Sequence, residues 1–255
     1  MRRASIAPEE TILQIWQYRS AADEHELESL FRLRYRAFSA SDTLHEVVAH
    51  CSREIDITAW DPLSVHYGVF ADGVALATIR AVAGEPTPQS DSINALSDRL
   101  GLARPRAPAV PYPMLAQLAN PFLTAKIASQ RDRGLRVVEC ARLCVAPELD
   151  RATSTRAFRF LAECTLAAEF LLGRTDVMYG LSPPQLTRFY RAYGFERVKE
   201  VDEIFAFSAR VRGVVSTLTR ERLLAHAVAP RLRRLSDELK RSGSVRRSEA
   251  LSDSA

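Results

Sequence analysis

Glu139 and Arg142 stand three residues apart in "RVVECARLCV" (136–145), a run whose other side chains suit a buried β-strand. Val137, Val138, Leu143 and Val145 are apolar strand formers, and Cys140, Ala141 and Cys144 fit a core. Burying a carboxylate and a guanidinium is costly unless the charges are paired or put to use. Put to use, the carboxylate can accept a proton from a reacting group while nearby arginines keep it ionised. The plainer alternative is a buried ion pair without chemistry, since structural networks also perturb charges. One geometric consequence is testable. Residues three apart in a regular strand face opposite sides, so a shared site requires a β-bulge between Glu139 and Arg142, and bulges often lie beside active sites.

The elements around this strand alternate in type. "TILQIWQY" (11–18) reads as a first strand. "DEHELESLFRLRYRAF" (23–38) reads as a helix capped by Asp23, with Leu27, Leu30, Phe31, Arg34 and Phe38 on one face. Residues 39–64 are polar, mixed and largely irregular, and "VHYGVFADGVALATIRAV" (65–82) is a hairpin turning at Asp72-Gly73. Residues 83–115 hold six of the 13 prolines and form an insertion or lid with a short helix over 91–100. A weak helix over 115–132 precedes the strand at 136–145. The strongest helix covers 153–173, a short strand 176–181, and a further helix 183–195. "EIFAFSARV" (203–211) closes the sheet, a basic helix covers about 219–241, and the Ser/Arg-rich end (242–255) reads as disordered. Together these predict a single α/β (α+β) domain over 1–213 around a mostly antiparallel sheet, followed by a C-terminal segment, 214–241, and a tail.

Composition narrows the function. At 255 residues, 47% hydrophobic and 26% charged, the chain is an ordinary globular one, with no apolar run long enough to span a membrane and no secretory signal. Cytoplasm is the default expectation. Four cysteines without a C-x-x-C pair and five scattered histidines predict neither a disulfide scaffold nor a metal site. The net charge is +4, but residues from 230 onward contribute seven Arg/Lys and four Asp/Glu, so the rest is nearly balanced. A nucleic-acid binder would spread its basic footprint over the folded domain.

"LRYRAF", "EIDITAWDPLSVHYGVFADGVALATIR", "ECARLCV" and "LSPPQLTRFYRAYGF", in that order over about residues 27–200, resemble the autoinducer-synthase branch of the GNAT acyltransferase superfamily. That branch includes the acyl-homoserine-lactone synthases and the long-chain N-acyl amino acid synthases. The resemblance implies a GNAT-like fold and a charged active-site cluster. Arg34 and Phe38 match the Arg-x-x-x-Phe of the first helix, Asp56 and Asp61 its acidic pair with two extra residues between them, Arg80 the end of the hairpin, and Glu139 and Arg142 the central strand. By the same resemblance, Glu139, Arg142 and Arg34 carry the catalysis, and Phe38, Asp56, Asp61, Arg80 and Tyr190 contact substrate. Asp56 and Asp61 also suit turns and caps. His66, opening a strand, reads as a packing residue, and Cys140 and Cys144, with no histidine nearby in sequence, read as core.

The implied reaction is transfer of a fatty acyl group from an acyl carrier protein thioester, or from acyl-CoA, to the amine of an amino-acid-type acceptor. An α-amine is mostly protonated at neutral pH, so Glu139 would take its proton before attack. Splayed strands beside the bulge would offer N–H groups to the oxyanion, and Tyr190 lies where related enzymes protonate the departing thiolate. No metal and no permanently bound cofactor is implied. "VAPELDRATST" lacks the glycines that cradle a pyrophosphate, which favours an acidic carrier protein meeting Arg151, Arg156 and Arg159. Leu44 stands where the lactone synthases hold a tryptophan, which weakens S-adenosylmethionine as the acceptor. The competing reading is a non-catalytic GNAT-fold module that binds a partner through its basic C-terminal helix.

Overall fold

The computed structural model describes residues 13–201, 204–208 and 211–250. β1 (Leu13–Ser20) buries Trp16 and Tyr18 and leads into α1 (Glu24–Ser39). The Asp23 side chain caps α1 by accepting the Glu26 N–H at 2.9 Å, and Leu27, Leu30, Phe31, Arg34 and Phe38 form its buried stripe. β2 (Ser64–Ala71) and β3 (Val74–Val82) make the hairpin; Asp72 and Gly73, at φ +51° and +81°, take the left-handed conformations that a two-residue turn needs. α2 (Ser90–Arg99), α3 (Pro113–Leu118) and α4 (Pro121–Asp132) precede β4 (Val137–Val145). α5 (Arg151–Leu166) ends in a π-helical turn, Ala167–Leu171, before β5 (Val177–Ser182) and α6 (Thr187–Ala192). The chain closes with β6 (Glu196–Arg197), β7 (Ile204–Ser208), β8 (Val211–Thr219), α7 (Arg220–Ala225), α8 (Ala229–Ser242) and β9 (Val245–Ala250).

The sheet runs β6-β8-β5-β4-β3-β2-β1-β9, with β7 bonded to β8 off that path. β4 and β5 pair in parallel and the other pairs are antiparallel, as expected of a mostly antiparallel α/β sheet. One face packs Phe70, Val82, Val137 and Tyr179 against α1 to α4. The other packs Tyr67, Ile79, Ala81, Val138, Cys140 and Met178 against α5 and α8. Each large apolar side chain fully buried in these layers contributes about 1.5–3 kcal/mol.

Four expectations differ from the structure. The helix expected over 115–132 is two helices, broken where Ala119 turns left-handed (φ +45°) and Asn120 caps α4 ahead of Pro121. The strand expected over 203–211 is the shorter β7, which bonds to β8 off the main path, while β8, a strand not expected from the sequence, is the partner of β5; Glu203, Ala209 and Arg210 lie outside the described residues. The basic helix is interrupted at His226, with Pro230 in the first turn of α8. Finally, the tail expected to be disordered supplies β9 over 245–250, paired with β1 from Leu13↔Ala250 to Tyr18↔Val245; residues 251–255, like 1–12, lie outside the described residues. Backbone hydrogen bonds and one buried apolar side chain, Val245, hold that strand, and a Ser/Arg-rich composition signals neither.

Candidate active site

The bulge is present and Arg142 is its pivot. Thr78 pairs with Cys144 and Arg80 with Ala141, so Ile79 alone opposes Arg142 and Leu143. Arg142 adopts φ +57°, a conformation costly for a residue with a Cβ. This extra residue turns Arg142 onto the α1 face, where Glu139 also lies, and returns Leu143 to the α5 face.

On that face the sequence-predicted charges form one network. Arg34, with no exposure, donates to Asp56 Oδ2 at 3.0 Å, to Asp61 Oδ1 and Oδ2 at 2.8 and 3.1 Å, and to the Asp56 carbonyl. Arg80 donates to Asp61 Oδ1 at 3.0 Å and to Thr58 Oγ1 at 2.7 Å. Arg142 reaches Asp56 at 3.3 Å and stands 5.2 Å from the Phe38 ring centroid. Burial alone would raise the Asp61 carboxyl, but Arg34 and Arg80 outweigh it and hold it well below its ordinary value. His66 Nε2 lies 3.1 Å from the Asp61 carbonyl and its ring meets Phe31 edge-on; burial, with Arg34 and Arg80 nearby, pushes it down to about 4, so it is neutral.

Glu139 stands beside this network rather than in it. It is 3% exposed, forms no ion pair among the described residues, and accepts a hydrogen bond from the Met114 N–H at 2.9 Å. The expected sharing with Arg142 is therefore one of face, not of contact. Nor do arginines keep it fully ionised: burial pushes it up to about 7, against the Met114 N–H, Arg80 and Arg142, which lower it. Three guanidiniums facing two aspartates leave an uncompensated positive charge near it.

Beyond Cys140 and Gly180, β4 and β5 stop pairing although both strands continue. A cleft of about 120 Å³ opens there, walled by Phe38, Leu44, Arg142, Leu181 and Tyr190. It shares Cys140, Leu143 and Tyr190 with a narrow apolar space of about 30 Å³ beneath α5, which Ile79, Thr165 and Met178 also line. Tyr190 packs on Gly180, where an added Cβ would come within 2.9 Å of its ring, and burial pushes its hydroxyl well up. Burial likewise raises the thiols of Cys140 and Cys144, in keeping with core residues. Neither Arg34, Asp56, Asp61, Arg80 nor Glu139 lines the cleft. The 83–115 insertion does not wall it either.

The sequence reading missed three contributors. Met114 acts through its backbone amide, which carries no side-chain signal. Thr58 donates its N–H and hydroxyl to Asp61 Oδ2, an arrangement that the "TAWD" spacing could have suggested. Asp150 accepts the N–H groups of Ala152 and Thr153 at 2.8 and 3.0 Å, so it occupies the start of α5 itself.

No family model matches the chain, and no curated protein matches it. Solved structures do. FeeM, an N-acyl amino acid synthase from uncultured soil microbes, superposes with a TM-score of 0.52 at 13% identity, over 85% of this chain and 98% of that one. The acyl-homoserine-lactone synthase LasI gives 0.51 at 13% identity, over 84% and 94%. The CoA-dependent acyl-homoserine-lactone synthase BjaI, solved with S-adenosylmethionine and isopentyl-CoA, gives 0.50 at 12% identity, over 88% and 90%. Parallel β4 and β5, splayed beyond a bulge and flanked by helices on both faces, thus give this chain the GNAT-like α/β fold that acyl-homoserine-lactone and N-acyl amino acid synthases share.

Proposed function

We propose that the protein is an N-acyltransferase that moves a fatty acyl group from an acyl carrier protein thioester to the amine of an amino-acid-type acceptor. The observation that carries this reading is the bulge at Arg142. It places a cation at the mouth of the cleft, on the face that holds a carboxyl poised near neutral pH. A group of that pKa can take a proton from an α-amine at physiological pH, here through a water, since Glu139 sits behind the cleft wall.

In the proposed sequence the deprotonated amine attacks the thioester carbonyl, and N–H groups on the edge of β4 that parts from β5 receive the oxyanion. The C–S bond then breaks as the Tyr190 hydroxyl supplies a proton to the departing thiolate, and the second proton shed by the attacking nitrogen restores Tyr190 through water, leaving the neutral amide and the free thiol. Arg142 and Phe38 orient the acceptor. Arg34, Asp56, Asp61 and Arg80, sealed from the cleft, act as positioning residues that fix Arg142. The acyl chain follows the apolar space beneath α5.

Two features favour the carrier-protein donor over CoA. The first amides of α5 are taken by Asp150, leaving no empty pyrophosphate cradle, and Arg151 at the helix start, with Arg156 and Arg159 one and two turns further on, offers cations to an acidic partner. Leu44 in the cleft wall favours a free amino acid over S-adenosylmethionine. Mass spectrometry of lipophilic amides from cells expressing the protein, against cells expressing Glu139→Gln, tests the assignment. A new amide series present only with the wild type is expected, and identical profiles would refute it.

A further inference from the structure

At the far end of the sheet from Arg142, where β1 ends and β4 begins, lies a second cavity of about 630 Å³. Its floor is apolar: Ala21, Val65, Ala81 and Val138. Its polar groups are hydrogen-bond donors, the hydroxyls of Ser20 and Ser92 and the guanidinium of Arg174, apart from Gln89 and the carboxylate of Glu169. Gln89 is used in the fold: it accepts the His66 N–H at 2.8 Å and donates to the Ala21 carbonyl at 2.7 Å. Glu169 is 2% exposed, in the π-helical turn, and both its oxygens are occupied, Oε1 by the Tyr67 hydroxyl at 2.6 Å and Oε2 by the Thr175 hydroxyl. Arg174 Nη1 donates to the Tyr67 oxygen at 2.9 Å, which fixes the guanidinium. Among the described residues its Nε and Nη2 have no partner, and the residue is exposed at the cavity. A pocket of this size, apolar with a few convergent donors, suits a ligand with an apolar body and one acceptor-bearing end.

The floor also continues toward the cleft. Ala81 and Val138 are followed on the same face by Ile79 and Cys140, two residues or about 7 Å along each strand. Glu169 is followed by Thr165, one turn along α5. Ile79, Cys140 and Thr165 line the narrow space that shares a wall with the cleft. We propose that this second cavity binds a long-chain carboxylate, its acid group on the Nε/Nη2 edge of Arg174 and its alkyl chain on the apolar floor, pointing toward the space beneath α5. A planar carboxylate matches that edge with two parallel hydrogen bonds. The ligand is a free fatty acid or a fatty acyl conjugate that ends in a carboxylate. The site stands on its own geometry and not on the acyl-transfer reading.

Displacement of the fluorescent fatty acid cis-parinarate from the full chain tests it. Dodecanoate should displace the probe at least tenfold more effectively than dodecanol. Arg174→Met should abolish that preference, and Arg174→Lys, which keeps the charge, should retain part of it. Ser92→Trp, at the cavity rim, should weaken binding at least tenfold, whereas Leu186→Trp, in the cleft wall, should leave it unchanged. Stronger displacement by N-dodecanoylglycine than by dodecanoate identifies the conjugate, and the reverse identifies the free acid. Equal potency of acid and alcohol on the wild type would overturn the proposal. So would a preference that survives Arg174→Met, or binding lost through Leu186→Trp but not Ser92→Trp.

Discussion

Replacing Glu139 with glutamine is expected to stabilise the protein and silence it together. Burial lifts this carboxyl from 4.5 to about 7, so the folded state holds the proton more tightly than the unfolded chain does. Stability from this group is therefore complete below pH 4.5, falls as pH rises, and levels off above 7. At about 1.4 kcal/mol per pH unit, the lift amounts to about 3 kcal/mol lost to the ionised carboxylate. Glutamine keeps an acceptor for the Met114 N–H but has no charge to bury. The stability difference between Glu139→Gln and wild type should thus be near zero at pH 4.5 and approach about 3 kcal/mol in favour of the variant at pH 8. Urea denaturation at both pH values measures it, because all other titrating groups are common to the two proteins. Acyl transfer should fall about 10²- to 10⁴-fold, the usual worth of a general base, and wild-type kcat/KM should rise through a pH near 7. A difference that is the same at both pH values, or a variant less stable at pH 8, would mean that burial does not hold the proton on Glu139.

Arg142→Gly and Arg142→Ala both remove the guanidinium and should both raise KM for the acceptor. At φ +57° the glycine variant should be the more stable by about 1–2 kcal/mol, read from denaturation midpoints. Gly180→Ala should lower kcat with little loss of fold, because its Cβ would press on the Tyr190 ring from 2.9 Å; circular dichroism and turnover separate the two effects. Truncation after Gly243 should lower stability by at least the ~1.5–3 kcal/mol of one buried valine and favour association through the bared edge of β1, seen in denaturation and light scattering. An unchanged midpoint would restore the reading of a free tail.

The charged cluster was legible because its members carry their chemistry in side chains at readable spacings. Arg34 and Phe38 recur at helical spacing, Arg80 ends a clear hairpin, and the offset of Glu139 from Arg142 forces a bulge that the structure contains. What sequence hid was carried by backbone or by distance. The Met114 amide reaches Glu139 across 25 residues, and nothing about a methionine side chain signals it. β9 pairs with β1 across the length of the chain, through main-chain bonds that a Ser/Arg-rich composition conceals. The ionisation of Glu139 was misjudged for a related reason. Nearby arginines suggest a low pKa, but they are committed to Asp56 and Asp61, and burial then decides. Packing of the basic C-terminal helix was equally hidden: α8 buries Leu232 and Leu239, and Arg231 meets Glu163 of α5 at 2.7 Å.

Thiol release from a purified fatty acyl carrier protein thioester, followed with and without a pool of free amino acids, separates acyl transfer to an amine from simple hydrolysis. Release should depend on the amine, appear together with an N-acyl amide, and be lost in Glu139→Gln. Release that ignores the amine, or that proceeds equally in both proteins, would contradict the proposed transfer.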